Sequence, residues 1–288
     1  MKKIFSIFLV FIILLFSISL PCSADNENVD NYVLNQYVAD SLLCVGSDNA
    51  DVSFVFDSSL ENTLISEVIE SLSDMSEDSY FSSPVCSFWL NGSELYKIAE
   101  IYASYSTLYP EALLTFSGFM FSYNVNRVFY NRVYECNLLS GGTVVQIEDN
   151  TLYNVRSTLL DLNKMYDYGV NSFGFLKINP KDSDGKIVKD FSKFVLYDDG
   201  VEIKASDAFA LYIDGLGEAL PAFNETVNAN ITKSDSFDFA QLTSHLTLIG
   251  FVAIISAVLL ICVLLFLVIS AIRRHRKKRV NESRADDE

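Results

Sequence analysis

Read for its apolar and polar positions, the chain has two uncharged, mostly apolar runs with a long mixed stretch between them. The first run covers residues 4–20, behind Met1, Lys2 and Lys3 and ahead of Pro21, Cys22, Ser23 and Ala24. A basic start, an apolar core and small residues before an acidic sequence describe a secretory signal peptide over 1–24, with an uncleaved anchor as the alternative. The second run, 246–272, holds no charged residue across 27 positions. A bilayer needs about 20 apolar residues, so this run reads as a transmembrane helix. Arg273, Arg274, His275, Arg276, Lys277, Lys278 and Arg279 follow at once. That cluster is a stop-transfer signal, and the positive-inside bias puts the 273–288 tail in the cytoplasm.

Between the runs the apolar period switches repeatedly. Val29, Val33, Tyr37, Ala39 and Leu42 predict a helix over 29–44, and Leu64, Ile65, Val68, Ile69 and Leu72 predict another. Alternation around Val52, Phe54 and Phe56 predicts a strand over 51–57. A strand over 85–90 ends on the Asn91-Gly92 turn, and Ser93 then caps a helix through Leu95, Ile98, Ile101 and Tyr102. Strands are expected at 113–123, 127–137, 143–147, 153–157, 173–178 and 193–197, with helices at 159–166 and 205–216. The mixture predicts one α+β domain over 25–218, a mixed sheet with packed helices. From 221 the sequence turns to Asn, Thr, Ser and Asp, which predicts a juxtamembrane stalk over 219–245.

Composition narrows the chemistry. Gly at 12 and Pro at 5 of 288 residues, with half the chain hydrophobic, exclude collagen-like and disordered classes. The net charge is −16, and residues 25–272 carry 12 Lys and Arg against 33 Asp and Glu. No nucleic-acid partner is expected of such an acidic chain, because phosphate contacts need Lys and Arg. The two histidines, His245 and His275, stand beside the span and in the tail. The outside part therefore offers no Ser-His-Asp or Cys-His site. Cys44, Cys86 and Cys136 leave one disulfide plus a thiol, or three thiols, both open, and none has metal-ligand spacing. Glu77-Asp78, Asp198-Asp199 and Asp182-Ser183-Asp184-Gly185 read as solvated loops and a turn. No metal or cofactor is expected.

Four stretches carry a likeness. They are YFSSPVCSFWLNGSELYKIAE (80–100), LLTFSGFMFSYN (113–124), LYNV (152–155) and FGFLKINPKDSDGKIV (173–188). In order and spacing they resemble the C-terminal domain of 5'-nucleotidases, over roughly residues 30–215. The resemblance implies that domain's fold and its nucleotide-gripping role. The family's hydrolysis belongs to a separate N-terminal metallophosphatase domain, which holds two metal ions with His, Asp and Asn. The chain has no counterpart of it, so no catalytic residue is expected here. Phe81 falls where the family's first base-stacking ring is expected. Leu160 takes the place of the second ring. The stretch Asp57-Ser58-Ser59-Leu60-Glu61 replaces a family segment that supplies phosphate-binding Arg, and Glu61 stands at that degenerate phosphate position.

The charge argument holds without the resemblance. Residues 4–96 contain no Lys or Arg, while 25–96 contain 14 acids. A phosphate held there meets only negative charge, at a cost of several kcal/mol. Three readings follow. The leading one is a membrane-anchored, extracytoplasmic, catalytically inactive domain acting in binding or interaction. It would keep at most weak nucleoside binding, since one lost stacking ring removes about 1–3 kcal/mol. The second is the nucleotide-binding subunit of a split metal-dependent 5'-nucleotidase, docked with a separately encoded metallophosphatase domain. The third is an acidic surface adhesin whose inherited pocket is empty.

Overall fold

The computed structural model describes residues 29–46, 48–57, 80–105, 109, 113–140, 142–216 and 230–285. The expected signal peptide, the helix expected near 64–72, Glu61 and the Glu77-Asp78 pair lie outside the described residues. The chain divides into two units, Met1–His245 and Leu246–Glu288. The first holds, in chain order, α1 (Val29–Cys44), β1 (Val52–Phe56), β2 (Val85–Asn91), α2 (Gly92–Tyr105), β3 (Leu114–Ser117), β4 (Phe119–Asn124), β5 (Val133–Ser140), β6 (Thr143–Gln146) and β7 (Leu152–Thr158). Then follow α3 (Leu159–Asn171), β8 (Tyr197–Asp198), β9 (Val201–Glu202), α4 (Ala205–Leu216), β10 (Ile231–Ser234) and α5 (Phe239–Thr243). The second unit holds α6 (Leu248–Ala285). The class is α+β.

Strand β1 is buried at all five positions because both of its faces are covered. Val52, Phe54 and Phe56 enter the larger apolar core, with Leu95, Ile98 and Ile101 of α2. Val55 enters a smaller core with Leu34, Val38 and Leu42 of α1 and Phe209 of α4. Ser53 lies on that side too and donates its hydroxyl to the Ala39 carbonyl at 2.5 Å. β1 pairs parallel with β7 and antiparallel with β3, and β7 pairs antiparallel with β2, giving the order β2-β7-β1-β3. A second sheet runs β10-β4-β5-β6, and its Phe119, Phe121, Val133 and Cys136 complete the larger core.

The two sheets share one stretch of chain. The sequence predicts a single strand over 113–123, but Gly118 (φ +72) breaks it into β3 and β4. β3 joins the first sheet and β4 the second. A Cβ at Gly118 would collide with the Asp51 carbonyl oxygen, so only glycine fits. Other expected strands are also shorter. Residues 125–132 turn before β5, with Tyr130 at φ +64. α3 runs on to Asn171, and Phe173 follows at φ +56, so no strand forms at 173–178. Residues Phe191–Phe194 make a 3-10 turn.

Arg156 on β7 ties α1 to the first sheet. Its buried guanidinium donates to the carbonyls of Leu43 (3.2 Å), Val45 and Asp48. The last carbonyls of a helix have no intrahelical donor, and a cation there also meets the negative end of the helix dipole. α1 has no basic residue in its own last turn.

The stalk expected over 219–245 is corrected from residue 230 onward, and 217–229 lie outside the described residues. β10 pairs parallel with β4. Asn124 donates to the Ser236 carbonyl (2.7 Å) and to Gln241 Oε1 (3.1 Å). Arg127 donates to the carbonyls of Ser244 (2.8 Å) and His245 (3.3 Å). The His245 ring stacks on Tyr96 at 3.5 Å, with Nε2 3.2 Å from Asp149 Oδ1. A polar composition suggests a linker, but here distant side chains take up the segment's backbone. Residues 230–245 belong to the same compact unit as the strands and helices before them. In the second unit, Leu248–Ser270 is long and apolar enough to cross a membrane, with a mean hydropathy of 3.4.

Arg156→Met should remove the donor from three carbonyls while keeping the volume. We expect a loss of about 2–4 kcal/mol in urea unfolding, with an unchanged m value.

Candidate functional site

Of the residues singled out by the sequence, Phe81 and Leu160 lie near the point where β7 passes into α3, and Glu61 lies outside the described residues. Thr158 is the N-cap of α3, and its side chain accepts the Asp161 N–H at 3.1 Å. A capping box would turn the acid at the third helical position back onto the cap. Asp161 reaches across to β1 instead. Its Oδ2 accepts the Phe56 N–H at 3.3 Å and the Tyr80 hydroxyl at 3.1 Å, and it is fully buried. Burial first, and then the Asp161 charge, push the Tyr80 hydroxyl well above the usual tyrosine range. Asp57 Oδ1 accepts the Thr115 hydroxyl at 2.8 Å. The Phe56 ring stacks on Tyr168 at 5.5 Å, with Lys164 Nζ 5.8 Å from its centroid.

Phe81 follows Tyr80 in the 3-10 turn Tyr80–Ser82 and is only 2% exposed. Its ring meets Tyr80 edge-on at 5.7 Å and Phe209 of α4 at 5.5 Å, within the smaller core. Leu160 is 42% exposed, and its N–H donates to Ser83 Oγ at 3.3 Å. The two residues are thus near each other across Ser83, but Phe81 points into the core while Leu160 remains largely exposed. A base stacked on Phe81 needs a ring face that Phe209 and Tyr80 now crowd. Asp161 and Tyr80 were not singled out from the sequence. The Thr158-x-x-Asp161 spacing is the one local signal for Asp161, and it does not identify the partners on β1 and the turn.

A cleft of about 370 Å³ lies between the end of α1 and α4, lined by Ser41, Cys44, Val45, Ala208, Leu211 and Tyr212 among others. Burial, and then Asp40, push the Cys44 thiol up, which keeps it protonated at neutral pH and poorly nucleophilic. Cys44, Cys86 and Cys136 are all free thiols. Burial pushes Cys86 up to about 12.

Two buried carboxylates organise α2. Glu94 pairs with Lys181 and accepts the N–H groups of Asn91 (3.0 Å) and Asn179 (2.9 Å), which docks the 179–181 stretch. The following Asp182-Ser183-Asp184-Gly185 is a closed turn. Asp182 Oδ1 accepts the N–H of Asp184 (3.0 Å) and Lys186 (2.9 Å), and Lys186 pairs with Asp184. Glu100 accepts the Val133 N–H at 2.5 Å and the Ser104 hydroxyl at 3.2 Å. Burial pushes its carboxyl up to about 7, against those hydrogen bonds and the Arg127 charge, which pull it down. Among the described residues no group of three or more His, Cys, Asp or Glu side chains is placed to hold a metal ion.

No family model matches the chain, and no curated protein matches it. Solved structures do align with it. A 5'-nucleotidase precursor from Thermus thermophilus aligns at 14% identity and a TM-score of 0.49, over 73% of this chain and 38% of its own. A putative 5'-nucleotidase from Staphylococcus aureus aligns at 16% and 0.41, over 70% and 36%. The NAD nucleotidase of Haemophilus influenzae aligns at 12% and 0.38, over 76% and 34%. The chain spans little more than a third of the length of these structures. With TM-scores below 0.5, the functional argument rests on the chain's own residues.

Two measurements test the site's energetics. Tyr80→Phe should cost about 1–1.5 kcal/mol and Asp161→Ala about 2–4, with a coupling of about 1–2 kcal/mol in the double-mutant cycle. The raised Glu100 carboxyl binds its proton more tightly folded than unfolded. Its stabilisation is complete below the ordinary carboxyl value of 4.5 and is lost as pH rises through about 7. Unfolding free energy should fall by on the order of 3 kcal/mol across that window. Glu100→Gln should flatten the slope.

Proposed function

We propose that this chain is a binding domain held at a membrane by one C-terminal helix. In this reading its fold is that of a 5'-nucleotidase C-terminal domain and it works through interaction, without hydrolysis. The observation that carries the reading is the enclosure of Phe81, the one stacking ring the sequence retains, between Tyr80 and Phe209. Three further features support it. Leu160 brings no ring to the second stacking position. No Lys or Arg occurs from residue 4 to 96 to meet a phosphate. His245, at the end of the first unit, is engaged by Tyr96 and Asp149. The order of the four sequence stretches supports the family assignment. The apolar Leu248–Ser270 helix, followed by the Arg273–Arg279 cluster, supports a single span with the domain outside.

The full chain in detergent should release no phosphate from AMP with any added divalent metal. Metal-dependent hydrolysis by the purified chain would overturn the reading. Adenosine and AMP should also leave the melting curve unmoved, whereas a ligand at 100 times its Kd adds about 2.7 kcal/mol. Phe81→Ala should cost about 3–5 kcal/mol as a core truncation. A nucleoside-induced shift that disappears in a still-stable Phe81→Ala variant would instead assign the turn to base recognition.

A further inference from the structure

The segment between β10 and α6 bonds several of its polar groups to the domain, while Asp235 and Asp238 stay exposed. Asn126 Nδ2 donates to the Asp235 carbonyl at 2.5 Å, Ser234 Oγ donates to Gln241 Oε1 at 2.8 Å, and Asn124 and Arg127 hold Ser236, Gln241, Ser244 and His245 as described above. Its two aromatic rings face out, Phe237 at 81% exposure and Phe239 at 78%. Leaving a phenyl side chain in water forgoes about 1.5–3 kcal/mol of burial. The rings are carried by an ordered turn. Asp238 Oδ1 accepts the Ala240 N–H at 3.0 Å as the N-cap of α5, and the Asp238 N–H donates to Ser236 Oγ at 3.0 Å.

Position in the chain names the occupant. Arg127 fixes the His245 carbonyl, and Leu248, the first residue of the apolar helix, is three residues further on. Three extended residues reach at most about 11 Å. The headgroup zone on each side of a bilayer is about 5–8 Å deep. We propose that Phe237 and Phe239 are an interfacial anchor, seated at the headgroup–acyl boundary of the bilayer that α6 crosses. Rings at that depth regain burial that water denies them.

The inference rests on the reading of α6 as a span, and the test separates the two. The full chain is reconstituted in phosphatidylcholine nanodiscs as Phe237→Trp, Phe239→Trp or Val258→Trp, with the signal of Trp89 subtracted using the unsubstituted chain. Val258→Trp reports the span and should be quenched by lipids brominated deep in the acyl chain. Phe237→Trp and Phe239→Trp should emit to the blue, resist iodide, and lose roughly half or more of their emission to lipids brominated near the headgroup. If Val258→Trp is quenched while the other two stay open to iodide and untouched by brominated lipid, the anchor is overturned and the span stands. Shielding that grows with protein loading, without lipid quenching, assigns the rings to a second copy and also overturns the anchor. If Val258→Trp escapes quenching, both readings fall.

Discussion

The guanidinium of Arg156 closes the end of α1 from a strand more than 100 positions away, and α1 in turn covers the smaller-core face of β1. Without that cation the carbonyls of Leu43, Val45 and Asp48, at and just past the end of α1, lose their shared donor. The same dependence recurs. Glu94 is met by Lys181, and Glu100 lies near Arg127. From residue 4 to 96 the chain is acidic and has no cation of its own. Within that stretch, buried Glu94 is met by Lys181 and the end of α1 by Arg156, both supplied from far along the chain.

This division explains what the sequence could show. Local periodicity finds α4 and β2, because one face of each meets apolar neighbours and the flanks carry turn residues. It also finds β1, but the alternation of Val52, Phe54 and Phe56 cannot show that Ser53 and Val55 are buried on the far side. The 230–245 segment misleads for the opposite reason. Nothing in its own Ser, Thr and Asp content reveals that Asn124, Asn126 and Arg127 wait for its backbone. Long-range polar pairing leaves no period.

The candidate site shows the same limit. The resemblance assigns Phe81 and Leu160 to two stacking positions; in the structure Phe81 lies in the 3-10 turn and Leu160 in the first turn of α3, bonded to Ser83. Whether a ring points outward depends on what packs beneath it. For Phe81 that is Phe209, 128 positions later. Asp161 sits at a legible capping position, yet it serves β1 and Tyr80 instead of its own helix. Residue type and offset can be read from the string of letters. The direction of a side chain is settled by tertiary neighbours that the string does not name.

Gly118 has a consequence beyond geometry. Through it one extended stretch of chain is hydrogen-bonded into both sheets, with no linker to absorb slack between them. Neither sheet can open while the other stays closed, because the strand leaving one carries the neighbouring strand of the other. The domain should therefore lack a separable sub-global unit, and amides of β1 and β5 should exchange through the same whole-domain opening. A glycine chosen to avoid one carbonyl thus makes two sheets a single cooperative body.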